Sequence, residues 1–230
     1  MPETVFEVDV DEDPEDQPDP IVNRWHPDTP PAATIKPGEK VRIECLDWTG
    51  GQVNNDDSAN DIRDMELSPN HHLSGPFEVK GAEPGDMLVV DILDLGPFPD
   101  HEWGFTGIFD LENGGGFLTD HFPEARKTIW ELDGVMTHSR HIDDVRFPGC
   151  AHPGIIGTAP SHELLEAWNE REQALIDRGP DAQTGVNHET GDDEPPLALP
   201  PEPENVLLGD MDDNKFEDAA KEAARTIPPR

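Results

Sequence analysis

The sequence predicts a mainly β protein with one amphipathic helix and a second, short helix near its end. Three observations carry this. Short stretches that alternate apolar and polar residues, or run apolar, recur between Gly- and Pro-rich turns from Trp25 onward. The period turns helical only over 161–178 and again at about 213–224. Runs such as MLVVDIL and GIIGTA are too apolar for a disordered chain, despite the acidity around them.

Taken in order, residues 1–20 are rich in acid and proline and predict a mobile arm. A β-rich core follows over 21–179. In TIKPGEKVRIECLDW a Pro-Gly turn leads into a strand at 41–48. GGQVNNDDSANDIRD is a polar loop holding Asn54, Asn55, Asp56, Asp57 and Asp61. GPFEVKGAEPGDMLVVDILDLG reads strand, turn, strand. Phe77 and Val79 alternate with Glu78 and Lys80, as a half-buried strand does, and 88–93 is apolar enough for a central strand. Pro84-Gly85 supplies the bend between them. Residues 96–123 are rich in Gly, Phe and Pro and read as loop or short irregular strand, a length at which loops are often functional. ARKTIWELDGVMTHSRHI holds a strand or two, and FPGCAHPGIIGTAP a short apolar one. In SHELLEAWNEREQALIDRGP, Ser161 suits an N-cap, and Leu164, Leu165, Trp168, Leu175 and Ile176 make one stripe. Gly179-Pro180 ends that helix. Residues 180–205 form an acidic, proline-rich linker. Residues 206–230 carry the short helix, with Phe216, Ala219, Ala220 and Ala223 on one side, and run out into prolines.

The charge is extreme: 51 acidic residues against 16 basic give a net charge of -35 over 230 residues. Disorder fits the ends but not the apolar middle. An acidic tail for basic partners does not fit, because the acids are spread along the whole chain. A cytosolic protein of a salt-rich cell fits best, since dense carboxylates keep a surface hydrated once salt screens their repulsion. Nucleic acid is excluded as a partner by the same charge. Cys45 and Cys150 do not make a disulfide framework. The acidic opening is no signal peptide, and no apolar run reaches membrane-spanning length, so a cytoplasmic protein is expected.

Several side chains are candidates for chemistry. Asp47 with Asn54–Asp57 supplies oxygen ligands, without the spacing or closing glutamate of a calcium loop; on composition alone this is a solvated loop. His71 and His72 point to opposite faces if extended, so at most one serves a given site. Glu102, beside Trp103, would gain a raised pKa by desolvation and suit a general acid or base, against the plainer reading of a surface acid next to an anchoring ring. His138 and His141 share a face only in a helix, which the local sequence disfavours. Cys150 and His152 would share a strand face and make a nucleophile pair, although such pairs usually meet through folding rather than proximity in sequence. No phosphate-cradling loop or serine elbow occurs.

Four strings, NRWHPDTPPAATIKPGEKVRIECLDWTGGQ, HHLSGPFEVKGAEPGDMLVVDILDLGP, EWGFTGIFDLENGGGFLTDHFPEARKTIW and HPGIIGTAPSHELL, resemble the acetamidase/formamidase family, its formamidase branch in particular. The resemblance runs from about Asn23 to Arg230, interrupted by extra acids at 180–195, and the acidic overlay resembles a haloarchaeal member. It implies a barrel- or sandwich-like β fold and hydrolysis of short linear amides, formamide and acetamide, to acid and ammonia. It also implies a divalent metal, zinc or calcium, in some members. Longer members continue past the AARTIPPR stretch with Gly-Gly-Asn-x-Asp and Gly-Asp-x-His segments, so this chain is expected to be the front part of such an enzyme. The residues expected to serve it are Glu102 and His152 in catalysis, Asp47, Asn55 and Trp103 in substrate binding, and Asp56 and His72 on the metal. A small amide, a separately encoded C-terminal portion and a homo-oligomer are the expected partners. The rival reading is an inactive remnant or a non-catalytic, partner-binding β scaffold.

Overall fold

The structure, a computed structural model, describes residues 2–23, 25–67, 69–116, 118–149, 152–168 and 170. The linker expected at 180–205 and the helix expected near 213–224 lie outside these residues. Strand is the main regular structure of the described part, as the sequence predicts, and that part divides into two compact units.

One unit comprises residues 1–50, 68–82 and those from 155 onward. Strand β1 (Glu3–Phe6) runs parallel to β3 (Val41–Ile43), and β2 (Ala33–Ile35) runs parallel to β4 (Phe77–Val79). The core gathers Phe6, Val8, Ile21, Val22 and Leu165, with the Phe6 ring edge-on to Phe77 at 6.0 Å. The start of the chain therefore differs from the arm that its composition predicts. Phe6 and Val8 alternate inside the acidic run, and that pair is apolar enough to enter the core once β3 offers an edge. Glu44 pins the same segment by accepting the Val8 N–H at 3.1 Å. Strand β3 covers only the first three residues of the expected 41–48 strand. Residues 162–168 are helical, and Ser161 is the expected cap: its hydroxyl accepts the Leu164 N–H at 3.1 Å. Leu165 of the stripe is buried, whereas Leu164 is exposed.

The other unit comprises residues 51–67 and 83–154. Its centre is an antiparallel meander of β5 (Trp103–Ile108), β6 (Arg126–Asp133), β7 (Met136–Ser139) and β8 (Arg146–Pro148). Asp133 pairs with Met136, so Gly134-Val135 is a two-residue hairpin turn, and Gly134 takes φ 60° where such turns need it. A single helical turn, α1 (Asn60–Arg63), puts Ile62 into a core with Val53, Met65 and Ile129. Three expectations change here. Residues 103–108, read as loop or irregular strand, form a regular six-residue strand, because β6 supplies a complete partner. Residues 88–93, expected as a central strand, form none among the described residues, and Leu88, Val89, Val90, Ile92 and Leu93 are exposed. Residues 152–160 likewise form no strand, and Ile155 and Ile156 are exposed. Among the described residues no helix is long and apolar enough to cross a membrane.

Candidate functional site

Alternate residues of a strand share a face, so Lys127, Ile129 and Glu131 lie together along β6. Ile129 is fully buried, and the polar loop around residues 54–61 is tied to the residues on either side of it. The Lys127 side chain is only 1% exposed. Its ammonium has three protons and three acceptors: Asp61 Oδ2 at 2.6 Å, Asp56 Oδ1 at 2.9 Å and the Asn54 carbonyl at 2.9 Å. A buried ammonium is tolerable only when so paired. Asp61 also accepts the N–H groups of Asn54 and Ile62, and Asp56 that of Ser58. Lys127, followed by the Ser58 N–H, holds the Asp56 carboxyl below its ordinary value.

Around Glu131 a second set of contacts extends this cluster. Arg140 Nε donates to Glu131 at 3.0 Å and its other arm to Asn55 Oδ1 at 2.7 Å, with Asp57 at 3.8 Å. His141 Nδ1 accepts the Ile129 N–H at 3.1 Å, which assigns the ring proton to Nε2, donated to Asp57 at 3.0 Å. Both His141 nitrogens are thus occupied. His138, opposite Glu131 on β7, differs: Nε2 meets Glu131 at 2.9 Å, while Nδ1 takes no partner among the described residues. Arg140 first, then His138, lowers the Glu131 pKa. Trp103 pairs with Glu131 across β5 and β6 and so stands on the same face.

In the other unit, His72 is 8% exposed and its Nε2 has no hydrogen-bond partner in the structure. Its Nδ1 lies 3.3 Å from the Trp48 carbonyl. Burial pushes the imidazole pKa down, against the Trp48 carbonyl and the Asp47 charge, which push it up. Gly50, at φ 71°, makes this possible: a Cβ there would stand 2.5 Å from His72 Cε1. Trp48 stacks at a tilt on His71, 5.2 Å between centroids, and Asp47 Oδ1 accepts both donors of Thr49.

The structure therefore gathers Asn55 and Asp56 in one cluster and sets Asp47 near His72 in the other unit. Asp56 and His72, expected as co-ligands of a metal, belong to different units, and Asp56 Oδ1 is taken by Lys127 and Ser58. Among the described residues no three His, Cys, Asp or Glu side chains are grouped to hold a metal ion. Glu102 is exposed just before β5, where its carbonyl accepts the Leu132 N–H. His152 is exposed, with Nδ1 accepting the Gly154 N–H at 3.0 Å; Cys150 lies outside the described residues. Sequence reasoning missed Lys127, Glu131 and Arg140. The available signal was a lysine and a glutamate flanking a buried isoleucine at strand spacing.

Residues 7–230 match the model of the Acetamidase/Formamidase family. The chain is 54% identical over 227 residues to a formamidase of Methylophilus methylotrophus, covering 99% of this chain and 53% of that one. It is 52% identical over 237 residues to an acetamidase of Mycolicibacterium smegmatis, covering 100% and 56%. A gamma lactamase from Delftia acidovorans superposes with a TM-score of 0.86 at 50% identity, over 99% of this chain and 53% of that one. The chain spans about half the length of the curated relatives it matches. With the family model spanning nearly all of the sequence and half of its residues shared with these relatives, the chain belongs to the acetamidase/formamidase family.

Proposed function

We propose that this chain contributes to the hydrolysis of short linear amides, formamide and acetamide, to carboxylic acid and ammonia. The observation that carries the reading is identity above one half, across essentially the whole chain, to proteins named for those two activities. Resonance stabilises the amide C–N bond, so hydrolysis needs carbonyl polarisation, a nucleophile and a proton for the leaving nitrogen. The Glu131–His138 pair suits the proton transfer. Glu131 fixes the ring through Nε2, and Nδ1 is left to carry a proton. Arg140 positions Glu131, and Lys127 holds the loop that presents Asn55. Trp103, on the same sheet face, offers an apolar wall to a small amide, and Glu102, exposed just before β5, is a further candidate acid. Of the zinc or calcium that the family resemblance implies, the buried Nε2 of His72 suits zinc, which takes imidazole nitrogen, whereas calcium would draw on oxygen ligands such as a carboxylate. The acidity supports a cytosolic home in a salt-rich cell. A separately encoded C-terminal portion and a homo-oligomer complete the reading.

The test is ammonia release from formamide in molar potassium chloride, by the chain alone and mixed with the part of the Methylophilus formamidase that this chain does not span. Release is expected from the mixture. His138→Gln should lower kcat about 100-fold and leave KM within about twofold. No ammonia from any mixture would end the amidase reading, and an unchanged kcat would remove His138 from it.

A further inference from the structure

The run Met87–Leu95 contains seven large apolar residues, all exposed, from Leu95 at 41% to Met87 at 89%. Extended, it would present Met87, Val89, Leu93 and Leu95 on one face and Leu88, Val90 and Ile92 on the other. A segment apolar on both faces belongs to a strand inside a sheet that is covered on both sides. Among the described residues it has neither a strand partner nor a cover. Its entry is nonetheless fixed: Asp86 accepts the Glu83 N–H at 2.9 Å and returns its own N–H to the Glu83 carbonyl at 3.0 Å. Nine residues interrupted by Asp91 and Asp94 and flanked by Asp86 are too short and too acidic to enter a bilayer.

We propose that Met87–Leu95 is the docking strand for the part of the family's sequence that this chain does not span, which adds its own strand to this one and covers both apolar faces. The relatives supply the occupant. Nearly half of the Delftia structure lies beyond its match to this chain, and the matched part keeps the same fold at a TM-score of 0.86. Strand addition satisfies the free backbone groups, and the alternating side chains set its register. The inference rests on the two-part reading given under Proposed function.

The experiment mixes the full 230-residue chain with the unspanned part of the Methylophilus formamidase and follows amide hydrogen exchange in residues 87–95. A one-to-one complex is expected, with exchange in this run slowed at least about tenfold. Val89→Asp and Val90→Asp, one for each face, should each weaken the complex by at least about tenfold. Both residues are exposed, so circular dichroism of each variant alone should match the parent. A complex that leaves 87–95 unprotected, or that both variants form undiminished, overturns the proposal. So does a dimer of the chain alone with this run protected, which would make a second copy the occupant. Ammonia release read on the same sample separates the two ideas. Protection without hydrolysis leaves the docking strand standing and removes the amidase reading; hydrolysis without protection does the reverse.

Discussion

His72 shows how one residue ties fold to pH. The folded chain buries its ring and lowers its pKa, so the unfolded chain takes up a proton that the folded one resists. The stabilisation is complete above the ordinary histidine pKa of about 6.5 and is lost as pH falls through the lowered folded value. His72→Gln should therefore flatten the fall in urea midpoint between pH 7.5 and pH 5.5, measured in molar salt. An unchanged slope would show that His72 does not set it. The sequence named His72 as a candidate but gave no sign of the cradle around it. That cradle depends on Gly50, twenty-two positions earlier, lacking a Cβ.

At the scale of elements, the unit built on the β5–β8 meander is a sheet with a polar loop held to it by Lys127, Arg140 and His141. Lys127→Met would leave Asp61, a side chain 9% exposed, without its counter-charge. Breaking such a buried pair costs on the order of 3 kcal/mol. The expected outcome is a matching drop in unfolding free energy by denaturant titration, with faster exchange of the Asn54 and Ile62 amides. Much of the element plan was legible. The β6–β7 hairpin lies within ARKTIWELDGVMTHSRHI, and Ser161 caps the helix that its spacing announces. These signals are local. The Lys127 clamp was not legible, since it joins residues 66 to 73 positions apart. Met87–Leu95 misled for the opposite reason: apolar composition reports what a segment can bury, whereas a strand also needs a neighbour to pair with.

For the whole molecule, 51 carboxylate residues against 16 cations set the solvent conditions in which the chain holds together. Raising potassium chloride from about 0.1 to about 2 M shortens the screening length from roughly 10 Å to below 3 Å. The thermal midpoint should rise by more than 10 °C across that range in a calorimeter, and a flat response would remove the salt-adapted reading. The Lys127 clamp offers a way to watch such unfolding. Lys36, Lys40 and Lys80 are exposed, while the Lys127 ammonium is enclosed and fully hydrogen-bonded. An amine-reactive reagent should label the first three at once and Lys127 only when the loop comes away from β6. The peptide carrying Lys127 is thus a built-in clock, readable by mass spectrometry, for how often this acidic chain opens.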